Sequence, residues 1–76
     1  WGIRPNPMNS VFEVITTESI TALQVFDSSG KILTIQQDHI EKGIKVSLDG
    51  NTPSGVYFIR IQLADGRTSI RQLIKI

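Results

Sequence analysis

Apolar and polar residues alternate with a period of two along most of this chain. In Val11-Phe12-Glu13-Val14-Ile15-Thr16, Phe12 and Val14 share one face and Glu13 takes the other. Thr21 to Phe26 repeats the pattern with Leu23 and Val25, and Lys31 to Gln37 repeats it with Leu33 and Ile35 inward. Ile44, Val46 and Leu48 alternate with Lys45 and Ser47. The longest run is Val56 to Leu63, with Tyr57, Ile59, Ile61 and Leu63 opposite Arg60 and Gln62. Arg67 to Ile76 closes the chain, and here the alternation predicts Ile70, Ile74 and Ile76 inward with Arg71 and Lys75 outward. Side chains alternate between the faces of a strand, so each run predicts a half-buried β-strand.

Breakers separate the runs. Asp27-Ser28-Ser29-Gly30 is a turn sequence, because Asp and Ser bond nearby backbone and Gly accepts positive φ. It predicts a hairpin between the second and third runs. Gln36 to Gly43 is polar and reads as a loop or irregular edge strand. Asp49 to Gly55 is the densest breaker cluster, and Asp65-Gly66 is a hairpin signal. Pro5-Asn6-Pro7 excludes helix, because each proline pushes its predecessor to extended geometry. Residues 1–10 therefore read as a linker with a Pro-Asn-Pro opening, and 11–76 as one domain. Six or seven short strands without a helical period predict an all-β, antiparallel sandwich of immunoglobulin-like architecture, with an open barrel as the alternative. The expected core is Phe12, Val14, Leu23, Val25, Leu33, Ile35, Val46, Leu48, Tyr57, Ile59, Ile61 and Ile74.

Composition supports this picture and narrows function. Of 76 residues, 23 are Ile, Val or Thr and two are Ala, which favours the pleated sheet over the helix. The net charge of +1 supplies no field for nucleic acid or an anionic membrane surface. No apolar run is long enough for a membrane-spanning helix. Cysteine is absent, so neither disulfides nor zinc–thiolate sites are available. The chain begins at Trp1 without a visible signal peptide and is expected to be part of a longer protein.

Candidate chemistry is sparse. His39, the one histidine, lies in a polar stretch beside Asp38 and Glu41 without convergent partners. Asp27, Asp49 and Asp65 each stand within three residues of a Gly, where a turn calls for a short acceptor side chain. Ser54-Gly55 lacks the surroundings of a nucleophile elbow, and Gly50, Gly55 and Gly66 form no phosphate loop. The expectation is no catalytic residue, no cofactor and no metal, hence not an enzyme. Arg67, Arg71 and Lys75 form either a solvated strand face or a modest recognition patch.

Taken in order, several motifs resemble the C-terminal sorting domain (Por secretion tail) of the type IX secretion system of Bacteroidetes-type bacteria. Arg4-Pro5-Asn6-Pro7-Met8 resembles the opening P-N-P and apolar residue of that family. Leu23 to Lys31, with Asp27, Gly30 and Lys31, is similar to its strand–D-x-x-G-K hairpin. Ile44 to Leu48 resembles its following short strand. Pro53 to Ile61, with Gly55 and Tyr57, resembles its S-G-x-Y-x-I-x-I block, and Asp65-Gly66-Arg67 with Arg71 to Ile76 its last hairpin and strand. One departure is the polar link Asp49-Gly50-Asn51-Thr52, where the family has a shorter apolar one.

The resemblance implies an address label on an exported cargo, in the periplasm during transit and then at the outer membrane, on the cell surface or secreted. The implied partners are the type IX translocon and its sortase or shuttle proteins, with Arg67, Arg71 and Lys75 as candidate receptor contacts. It further implies removal by a surface sortase and joining of the cargo to anionic lipopolysaccharide, and allows a dimer through edge-strand exchange. Two other readings stand beside it: a retained docking domain of a surface component, and a fibronectin-like adhesive module.

Overall fold

The computed structural model describes all 76 residues and contains seven strands and no helix. They are β1 (Gly2–Arg4), β2 (Val11–Ile15), β3 (Ile20–Asp27), β4 (Ile35–Ile40), β5 (Gly43–Leu48), β6 (Gly55–Leu63) and β7 (Thr68–Lys75). Every strand pairing is antiparallel. One sheet has the order β1-β2-β5-β4 and the other β3-β6-β7. Two separate sheets make a sandwich, not a barrel.

The core lies between the sheets and follows from the alternation. Phe12 and Val14 of β2 and Ile44, Val46 and Leu48 of β5 face Leu23 and Val25 of β3 and Tyr57, Ile59, Ile61 and Leu63 of β6. Met8 and Leu73 complete it, and no charged or polar residue is buried. Each such side chain contributes about 1.5–3 kcal/mol by leaving water. Leu33 and Ile35, expected inside, are half-buried on the rim of this cluster.

Gly43 shows how tightly the first sheet is built. Its φ is +153°, and a Cβ placed there would lie 1.7 Å from the carbonyl oxygen of Val14. Only glycine lets the turn into β5 pass this close to β2.

Three expectations are corrected. The first is the linker at 1–10. Gly2–Arg4 pairs with Glu13–Ile15 of β2, and Met8 is 0% exposed. Two prolines exclude helix, but they leave extended backbone free to follow a sheet edge.

The second is the hairpin after Asp27. The chain turns there and returns only briefly along β3: Phe26 bridges Ile32, and the Leu33 N–H donates to the Val25 carbonyl at 2.8 Å. From Ile35 it crosses to the other sheet and pairs with β5. The segment Gln36–His39 is exposed throughout, so β4 has few apolar side chains to bury and takes an outer position. It is the edge strand that its polar sequence admitted.

The third is the register of β7. Leu73 is 0% exposed, whereas Ile70, Ile74 and Ile76 are 55%, 40% and 64% exposed. Leu73 lies opposite Tyr57, so Arg71 and Lys75 take the core side of β7, and Ile70 and Ile74 take the outer side. The preceding turn sets this: the Leu63 N–H donates to the Arg67 carbonyl, and Gln62 pairs with Thr68. A one-residue difference in register exchanges the two faces of a strand.

Candidate functional site

The Pro-Asn-Pro segment is bound along the outer edge of β7. Asn6 Nδ2 donates to the Gln72 carbonyl (3.2 Å), and Asn6 Oδ1 accepts from the Ile74 N–H (3.0 Å). The chain then continues the same ladder through its backbone. The Met8 N–H donates to the Ile74 carbonyl (2.8 Å), and the Ile76 N–H donates to the Met8 carbonyl (2.9 Å). Met8 thus bridges Lys75 in parallel while its side chain fills the core. Pro5 and Pro7 are exposed. An Asn side chain carries both a donor and an acceptor, which lets it stand in for a peptide unit at a strand edge.

The D-x-x-G-K segment is a self-bonded turn. Asp27 Oδ1 accepts from the Ser29 N–H (2.9 Å), the Ser29 hydroxyl (2.6 Å) and the Lys31 N–H (3.0 Å). These bonds, the Ser29 hydroxyl first, lower the Asp27 pKa below its ordinary value. Gly30 sits at φ +90°, a conformation that a side chain would strain.

Tyr57 is buried, and its hydroxyl donates to the Pro53 carbonyl at 2.6 Å. That bond ties the 49–55 link to β6. Within the link, Asp49 Oδ1 accepts from the Asn51 N–H (2.9 Å), so the polar departure from the family pattern is itself an ordered turn. Gly55 opens β6 opposite Lys75.

Strand register brings most of these residues to one end of the three-stranded sheet. Asp27 lies opposite Tyr57, Tyr57 opposite Leu73, and Asn6 bonds the residues on either side of Leu73. Four segments distant in sequence converge there. Gly66 stands apart, at the opposite end, where Gln62 pairs with Thr68.

At that opposite end Arg67 is held internally. Its Nε bonds Asp65 Oδ2 at 2.6 Å, its N–H donates to Asp65 Oδ1 at 3.0 Å, and its second guanidinium nitrogen pairs with Glu18. The Arg67 hydrogen bonds, its N–H first, lower the Asp65 pKa, and Asp65 in turn raises that of Arg67. Arg71 lies over the Trp1 ring, 4.5 Å from its centroid, and Lys75 is half-buried. Arg67 and Lys75 stand about 26 Å apart along the strand at 3.3 Å per residue. The three cations are therefore spread from the turn before β7 to its last residue, in different surroundings.

The exposed His39 lines an open polar depression of about 320 Å³ with Thr16, Glu18 and Glu41. No three His, Asp or Glu side chains converge at a geometry suited to a metal ion. Sequence reasoning missed the burial of Met8 and Leu73 in the core and the clamp made by Asn6. Asn6 and its partners are 66 and 68 residues apart, and no local pattern connects them.

Fold and motif placement define a small two-sheet β-module whose signature polar side chains hold its own turns and edge. From Gly2 to Ile76 the chain matches the family model described as the secretion system C-terminal sorting domain, and it belongs to that family, the sorting signals of type IX secretion. Neither a curated protein nor a solved structure matches it. A domain of this family marks its parent for export by that system, to the outer membrane or cell surface.

Proposed function

We propose that this chain is an address label recognised as a folded object by the type IX translocon and its shuttle proteins in the periplasm. On this reading a surface sortase then cuts upstream of Pro5 and joins the cargo to anionic lipopolysaccharide. The domain itself performs no catalysis and is the substrate of that sortase.

One observation supports recognition of shape over recognition of a linear peptide. The side-chain polar atoms of three signature residues are engaged inside the domain: Asn6 on β7, Asp27 on its own turn, and Tyr57 on Pro53. A partner reading the extended sequence would have to break these bonds. A partner reading the sandwich would meet a surface that they hold in place.

The test fuses this chain to the C-terminus of a periplasmic reporter with a signal peptide, in a type IX-competent host. Surface display of the reporter is expected. Equal display of a reporter without the chain would overturn the sorting role. Mass spectrometry of the displayed reporter addresses the later steps. A product ending before Pro5 and carrying lipopolysaccharide is expected, and an intact tail on the surface would overturn the sortase step.

A further inference from the structure

The two outer faces of the sandwich differ in kind. On the four-stranded sheet, Arg4 lies opposite Glu13, Glu13 opposite Lys45, and Lys45 opposite Asp38. Four charges of alternating sign thus cross that face, with an Arg4–Glu13 ion pair at 3.3 Å at one end. Such a ladder suits water.

The outer face of β3-β6-β7 carries apolar rows instead. Val56 lies opposite Ile74, both about two-fifths exposed. Phe26 and Phe58 stack with ring centroids 5.6 Å apart, and Ile32 extends their row at 57% exposure. Next comes the row Gln24–Arg60–Ile70. Arg60 is the one charged residue on these rows, is exposed, and makes no ion pair or side-chain hydrogen bond. Neighbouring side chains at Gln24, Gln62 and Gln72 supply no compensating acid.

We propose that this face docks a protein of the secretion machinery through an apolar surface bearing a carboxylate, with Arg60 taking that carboxylate beside the Phe26–Phe58 stack and Ile70. The inference rests on the sorting role proposed above. Charge complementarity selects the occupant. A second copy laid face to face would set Arg60 against Arg60 with no acid on either side, which disfavours it. An acidic partner instead fills the guanidinium fork, and arginine ringed by aromatic and aliphatic side chains is a typical interface anchor.

The experiment compares surface display of the reporter fusion carrying Arg60→Glu or Ile70→Lys with Gln36→Glu or Gln36→Lys on the opposite face. All three positions are exposed, and urea midpoints of the four purified variants check that folding is unchanged. Display is expected to fall at least about tenfold for Arg60→Glu and Ile70→Lys, the weight of one interface anchor, and to hold for both Gln36 variants. Normal display of Arg60→Glu and Ile70→Lys would overturn the proposal, as would equal loss from both faces. A concentration-dependent dimer of the unaltered chain that Ile70→Lys abolishes would assign the face to a second copy. Co-sedimentation with phosphatidylglycerol vesicles, lost in Arg60→Glu, would assign it to lipid. Either result overturns the proposal. Absence of display by the unaltered fusion overturns the sorting reading itself, a result distinct from a face-specific failure.

Discussion

The Oδ1 of Asn6 accepts a hydrogen bond from the Ile74 N–H at 3.0 Å, joining residues 68 positions apart. With the companion bond from Asn6 Nδ2 to Gln72, it covers edge groups of β7 that an open edge would offer to other strands. Asn6→Ala removes both. At about 0.5–1.5 kcal/mol per bond, the loss is expected to reach about 1–3 kcal/mol. Urea denaturation reads the stability, and hydrogen exchange should show faster exchange at the Ile74 and Ile76 N–H groups.

The register of β7 is open to a paired substitution. Leu73 is fully buried, whereas Ile74 is 40% exposed. Leu73→Ala should lower stability by about 2–5 kcal/mol. Ile74→Ala should have a much smaller effect in the same urea titration. Reversed sizes would mean that Ile74 faces the core.

Acid should weaken the domain in a defined direction. Hydrogen bonds lower the pKa of Asp27 and Asp65 from the ordinary value of 3.8. Their stabilisation is therefore fully present above the unfolded value and is lost as the pH falls from 3.8 through the lowered folded values. Melting temperature measured from pH 6 downward should stay level and then decline below about pH 4. Asp27→Asn should flatten part of that decline.

Tyr57→Phe keeps the buried ring and deletes the hydroxyl bonded to the Pro53 carbonyl. The expected loss is about 1 kcal/mol. Limited proteolysis should show faster cleavage within residues 49–55, the link that this bond holds against β6.

Trp1 is the only tryptophan and reports on Arg71, which lies 4.5 Å above its ring. Arg71→Ala should shift Trp1 emission to longer wavelength as the ring gains water. The accompanying stability change should be about 0.5–1 kcal/mol for a contact of this kind. Arg71→Lys should restore part of both.

Alternation alone made the sandwich legible, because a strand with one wet face must place apolar residues at every second position. Phe12, Val14, Leu23, Val25, Val46, Leu48, Tyr57, Ile59 and Ile61 are buried as their pattern predicted. The turns at Asp27 and Asp65 were legible for a similar reason, since their hydrogen bonds span only a few residues. The family, too, was readable from ordered motifs, and the whole-chain match agrees.

Tertiary structure decided what local pattern leaves degenerate. Leu73 and Ile74 are adjacent and both apolar, so either could face the core; pairing with β6, set by the turn at 65–67, chose Leu73. The strands flanking Asp27 could have formed a hairpin, but the chain crosses between sheets to give β5 an edge partner in β4. The Pro-Asn-Pro segment had no apolar pattern to mark it as folded, and its place is set by hydrogen bonds to the opposite end of the chain. Periodicity reports which side of a strand is wet. Which strand lies beside it, and which end of the chain closes its edge, depends on contacts between residues too distant in sequence for any window to register.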